Sequence, residues 1–112
     1  MDAVTHKNLI AERWKTFSLL EQLGNIGSEI SRAQKWQGKD EKIYQNTVNR
    51  ALELFDLTLD DPRWKGRKKE IARSRELFCH AAFKDEQYKT SLEDLNKYFT
   101  QFATAAQLHS LI

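Results

Sequence analysis

Apolar residues recur along this chain at steps of three and four. Leu19, Leu23, Ile26, Ile30 and Ala33 form one such series. Tyr44, Val48, Ala51, Phe55 and Leu59 form a second, widened by Leu52 and Leu54. Ile71, Phe78, Ala81 and Ala82 mark a third, and Leu92, Leu95, Phe99, Phe102 and Ala106 a fourth. That spacing keeps the apolar side chains on one face of an α-helix. Nowhere does a two-residue alternation accompany hairpin turn chemistry, so no sheet is expected.

The punctuation agrees with the periodicity. Ser18 with Glu21 three residues on reads as a capping box, in which each residue satisfies a backbone N–H of the other. That helix should end near Trp36–Gly38, with Gly38 just past its last turn. Gly24 and Gly27 lie inside it and are expected to permit close approach of a neighbouring helix. Asp40 is suited to cap the second helix. Asp60-Asp61-Pro62 stops it, because a residue before proline avoids the helical region. A third helix is expected from Arg63 or Gly66 to Phe83. Thr90 or Ser91 should cap the last, with Thr90-x-x-Glu93 as a further capping box. Residues 1–16 are weakly periodic, with Leu9, Ile10 and Trp14 at an apolar edge. With Arg13 beside that edge, they predict a short helix or a mobile arm. The short connections near 38–40, 60–65 and 84–90 make successive helices antiparallel. The fold class is therefore all-α: one up-and-down bundle of about four helices.

The 112 residues suit a single domain over 1–112, with one core. No apolar run approaches the roughly 18 residues that a membrane span needs, so no membrane association is expected. The N-terminus lacks a secretory pattern. Cys79 is the only cysteine, which excludes an internal disulfide and suits a cytoplasmic setting.

The net charge of +2 conceals an asymmetry. Residues 1–61 hold eight Lys/Arg and ten Asp/Glu, a balance of −2; residues 62–112 hold ten and six, a balance of +4. The excess lies in Arg63, Lys65, Arg67, Lys68, Lys69, Arg73 and Arg75, with Trp64 among them. This stretch is either a solvated helix face or a patch for RNA or DNA phosphates, on which Trp64 could stack a base. A polar stripe of Asn25, Glu29 and Arg32 flanks the first apolar face. Arg50, Glu53 and Asp56 flank the second, and an ion-pair network between the two is expected.

Other chemistries find little support. Glu76 and His80 are four residues apart, not the three of a di-metal bundle, and the pair occurs once. His6, His80 and His109 are scattered, so no metal is expected. Phosphate-cradling glycine loops are absent, and no cofactor is expected. Cys79, beside Phe78, reads as a small hydrophobe.

Two resemblances add to this reading. Arg75-x4-His80 and Arg73-x6-His80 resemble the ribonuclease motif of the HEPN superfamily, itself made of small helical bundles. Seven residues apart on one helix, Arg73 and His80 share a face and make the better pair. The resemblance implies that histidine would move protons and arginine would steady phosphate charge at a dimer interface. Separately, Glu21-Gln22-Leu23-Gly24-Asn25-Ile26-Gly27-Ser28-Glu29, Arg50-Ala51-Leu52-Glu53-Leu54-Phe55-Asp56-Leu57-Thr58 with Asp61-Pro62, and Lys97-Tyr98-Phe99-Thr100-Gln101-Phe102 resemble a family of small bacterial helical proteins. That resemblance spans Phe17–Ala106. It implies a bacterial source and a helical fold, and carries no activity.

Three tryptophans, six phenylalanines and three tyrosines are many for one small core. Some of Trp14, Trp36 and Trp64 should remain at the surface as interface residues. The expectation is a non-enzymatic interaction module that forms a homo-oligomer or binds a protein partner. The alternatives are a nucleic-acid-binding accessory protein and a ribonuclease.

Overall fold

The computed structural model describes residues 11–83 and 91–110, apart from the side chains at 106, 107, 109 and 110. Expectations that fell on Leu9, Ile10, Thr90, the 84–90 connection, His6, His109 and the Ala106 side chain lie outside the described residues.

Four α-helices carry the fold: α1 (Leu19–Trp36), α2 (Glu41–Leu59), α3 (Lys68–Ala82) and α4 (Leu92–Ser110). Each start follows from local chemistry. Ser18 and Glu21 exchange hydrogen bonds, Glu21 N donating to Ser18 Oγ at 3.1 Å and Ser18 N to Glu21 Oε1 at 3.0 Å. The bond from the Ser18 backbone N–H favours the charged carboxylate and holds the Glu21 carboxyl below its ordinary pKa. Asp40 Oδ1 accepts from Ile43 N at 3.1 Å. At α4 Ser91, one of the two expected caps, forms a reciprocal pair with Asp94. Asp94 N donates to Ser91 Oγ at 3.1 Å, and Ser91 N to Asp94 Oδ2 at 3.4 Å. Glu93 pairs with Lys97 at 3.7 Å, one turn on. Gly38 follows the C-cap of α1 with φ +78°, a left-handed conformation that costs other residues.

The third expected helix proves to be two elements. Pro62–Arg67 forms a 3-10 turn kinked at Trp64, with φ −104° and ψ 26°, and Arg67, at φ −116° and ψ 7°, separates it from α3. Proline at its first position supplies a fixed φ and needs no N–H partner there.

Side-chain pairings establish the topology. Trp14–Thr58 and Gln37–Tyr44 bonds set α1 and its approach antiparallel to α2. Asp56–Arg75 and Tyr44–Ala82 bonds set α2 antiparallel to α3. Gln34–Asn96 and the approach of Gly24 to Ala103 set α1 antiparallel to α4. The chain thus goes up and down, and its last helix returns to its first. Among the described residues, the α1–α4 contact is the most extensive. A Cβ on Gly27 would lie 2.8 Å from Phe99 Cβ, and one on Gly24 would lie 3.1 Å from Ala103 Cα. Both glycines serve the expected close approach.

Phe55, Phe78 and Phe99, from α2, α3 and α4, meet at the centre with no exposure. The Phe55 ring lies 5.9 Å from Phe78 and 5.8 Å from Phe99. Ile26, Ile30, Val48 and Ala51 complete that level. Tyr44 is buried at the end of the core, and its hydroxyl donates to the Ala82 carbonyl at 2.7 Å. Burial pushes its phenol pKa upward. Among the described residues, no helix is long and apolar enough to cross a membrane.

Candidate interaction surface

Polar groups gather first at the junction of α2 with the 3-10 turn. Gln22 is fully buried at a core-facing position of α1. Its amide nitrogen donates to the Trp14 carbonyl at 2.9 Å and to Asp61 Oδ2 at 3.2 Å, and its oxygen accepts from Trp64 Nε1 at 2.9 Å. Asp61, 3% exposed, accepts a fork from Arg63, with NH2 at 2.7 Å and Nε at 3.0 Å. The Arg63 NH2 group also donates to the Phe17 carbonyl at 2.8 Å. Trp14 Nε1 donates to Thr58 Oγ1 at 2.9 Å. Hydrogen bonds from Arg63 hold the Asp61 carboxyl at a pKa of about 2, below its ordinary 3.8. The same pairing raises that of Arg63.

This clasp bears on three expectations. Of the two readings for residues 1–16, the short helix is met at residues 11–14, and Trp14 is buried and bonded to α2. Arg63 and Trp64 are used inside the fold, Arg63 lying 4.5 Å over the Trp64 ring. None of the three tryptophans is exposed, since Trp36 and Trp64 are half-buried against the core.

The rest of the basic segment divides into paired and free cations. Arg67 lies 3.8 Å from Glu70, and Arg73 3.9 Å from Glu76. Arg75 Nε donates to Asp56 at 2.9 Å, across to α2. Lys65, Lys68 and Lys69 are exposed, with no acidic partner among the described residues. Glu76 also lies 3.8 Å from His80 Nε2. The Arg73–His80 face is therefore threaded by a carboxylate that reaches both residues of the ribonuclease-like pair. None of the three grooves described on this molecule includes either residue.

The expected network between α1 and α2 is not formed. Glu29 bonds Arg32 within its own helix at 3.1 Å, and Asp56 turns to α3. Asn25 donates to the Glu21 carbonyl at 2.8 Å, one turn back. Arg50 and Glu53 are exposed.

What the sequence reading missed lies on α4. Its core face is Leu92, Leu95 and Phe99. A second strip runs through Asp94, Tyr98, Gln101, Ala105 and Leu108, at steps of four, three, four and three. Tyr98 is 46% and Leu108 58% exposed, and both rank among the exposed large hydrophobics. Phe102, half-buried, joins this strip to a groove of about 180 Å³ between α1, α3 and α4. Leu19, Leu23 and Ile71 floor the groove, and Arg67 and Glu70 edge it. It exists because the first half of α3 offers few apolar residues beyond Ile71, so α3 packs sparsely on α4. The signal in the sequence was the second 3–4 series, hidden because Phe102 can be counted in either.

Fold and surface together define a helical bundle whose last helix packs on its first, with Tyr98 and Leu108 exposed on α4 and Ile43 and Phe83 exposed elsewhere among the described residues. No protein-family model, curated protein or solved structure matches the chain.

Proposed function

We propose that this protein is a non-enzymatic helical-bundle interaction module whose docking surface is the outer face of α4 and the groove beside it. The observation that carries the reading is the pair Tyr98 and Leu108. They stand exposed on a regular helix whose opposite face already fills the core. A strip with 3–4 spacing is what a second helix packs against. The bacterial family resemblance and the lone cysteine are the grounds for a bacterial, cytoplasmic setting.

The test is photo-crosslinking in growing cells. A benzophenone amino acid replaces Tyr98 or Leu108, and Lys42, exposed on α2, serves as the control position. Discrete protein adducts from positions 98 and 108, absent from position 42, are expected. Equal or absent labelling at all three positions would defeat the proposal.

A second reading rests on Lys65, Lys68 and Lys69, the cations without acidic partners. They would supply a small, salt-sensitive site for RNA or DNA phosphates. Three phosphate contacts give a slope of log affinity on log salt of roughly −2 to −3. A native gel across a salt series measures that slope, and a shift insensitive to Lys68→Glu with Lys69→Glu would eliminate this reading.

A further inference from the structure

Taking the groove beside α4 as part of the docking surface proposed above, we infer that its α3 side, residues 67–74, is a gate. It opens by local unfolding while the rest of the bundle stays folded, and the open form is the one that admits a partner helix.

The size of the groove calls for such a gate. Its volume of about 180 Å³ falls below the roughly 300–1,000 Å³ of pockets that enclose a whole ligand. Leu19, Leu23, Phe99 and Phe102 line its α1 and α4 sides. Those sides are fixed, because Leu23 and Phe99 are buried and Gly24 and Gly27 bring the two helices into close contact. Arg67, Glu70, Ile71 and Ser74 line the α3 side, and room comes from there.

Local chemistry leaves that side weakly held. Ser18, Asp40 and Ser91 cap the other three helices, whereas no side chain caps α3. Lys68 and Lys69 open its first turn, behind Lys65 and Arg67, and cations there oppose the helix dipole. Glu70 is the one acid in that turn. Its pair with Arg67, 3.8 Å apart and exposed on both sides, adds little. Between Trp64 and Phe78 only Ile71 is buried, so opening uncovers one large apolar side chain. Firm anchors bound the stretch. Trp64 donates to Gln22 before it. After it, Phe78 fills the core, Arg75 bonds Asp56, and Tyr44 bonds the Ala82 carbonyl. A segment with few buried contacts between well-held neighbours opens alone, at a fraction of the cost of global unfolding.

Native-state hydrogen exchange of the full chain, read amide by amide, tests the gate. Amides 72–75 should exchange roughly ten- to a hundred-fold faster than amides 45–48, which stand equally far into the capped helix α2, once intrinsic rates are divided out. Low urea should speed exchange in α1 and leave 72–75 nearly unchanged, because a local opening exposes little surface. Gly66→Ala should slow 72–75 roughly two- to five-fold, since glycine in a helical turn favours disorder. An alanine Cβ there meets nothing within 4 Å, and the φ is not left-handed, so the variant introduces no clash. Photo-adducts from position 98 should fall by a similar factor in that variant, because docking draws on a smaller open population. Exchange at 72–75 no faster than at 45–48, or as sensitive to urea as that of α1, would overturn the gate; adducts from positions 98 and 108 would then leave the docking surface standing with a fixed wall. Fast exchange with adducts unchanged by Gly66→Ala would overturn the link between opening and docking. Fast exchange with no adducts from either position would defeat the docking surface while the movable wall stood.

Discussion

Replacing Gln22 by leucine would keep its volume and delete three hydrogen bonds. The Trp64 indole N–H would lose its acceptor in a half-buried position. Buried donors left alone are costly, so Gln22→Leu should destabilise the protein by roughly 2–4 kcal/mol in urea unfolding. A leucine that proved neutral would show the clasp to be dispensable. Asp61 makes a different prediction. Its carboxyl holds a proton less readily in the folded chain, with a pKa of about 2, than at its ordinary 3.8. The unfolded chain therefore binds the extra proton, and stability rises with pH across that interval. The contribution is complete above about pH 5 and is lost as the pH falls through 4 towards 2. Asp61→Asn should cost on the order of 2 kcal/mol at pH 7 and flatten that acid slope. None of this was legible in the sequence. Asp61 reads as a helix stop, while Arg63 and Trp64 read as members of a basic run. The Asp61–Arg63 pair is local, but Gln22 and the Phe17 carbonyl, which complete the clasp, lie about forty residues away in the chain, beyond any local period.

Helices were readable because their causes are local. Ser18 with Glu21, Asp40, Gly38 and the 3–4 series each act within two turns, and each recurs in the structure where it was expected. The errors fall where geometry between elements decides. The start of α3 moved to Lys68 because Asp61 anchors the chain as it leaves α2 and the 3-10 turn carries Trp64 to Gln22. At α4 the cap stands at Ser91, one of the two positions expected, with Asp94 returning the bond as a glutamate would. Gly24 and Gly27 were correctly read as contact positions, though not for which partner. Gly27→Ala would place a methyl carbon 2.8 Å from Phe99 Cβ, on a rigid part of the side chain. It should cost roughly 1–3 kcal/mol, against a gain of up to about 1 kcal/mol in helix propensity. Thermal unfolding decides the sign, and a stabilised variant would mean that α1 and α4 can slide apart freely.

At the scale of the whole molecule, the charge asymmetry remains but its meaning narrows. Four of the seven cations in Arg63–Arg75 face carboxylates, leaving three lysines at one end of the bundle. The ribonuclease-like pair is bridged by Glu76, so His80→Ala should leave RNA as intact as the parent protein does on a denaturing gel. Leu108→Glu should separate stability from the proposed docking. Leu108 is 58% exposed, so unfolding should shift by no more than about 0.5 kcal/mol, while photo-adducts from position 98 should fall.

The pairing of α1 with α4 also governs when the protein can fold during synthesis. Leu23, Ile26 and Ile30 wait for Phe99, which the ribosome adds some seventy residues later. A nascent chain that has released α1, α2 and α3 still displays an uncovered apolar seam, open to chaperones and to neighbouring chains. Until α4 has joined α1, that seam lacks the cover it has in the folded protein, and the burial of these residues is incomplete.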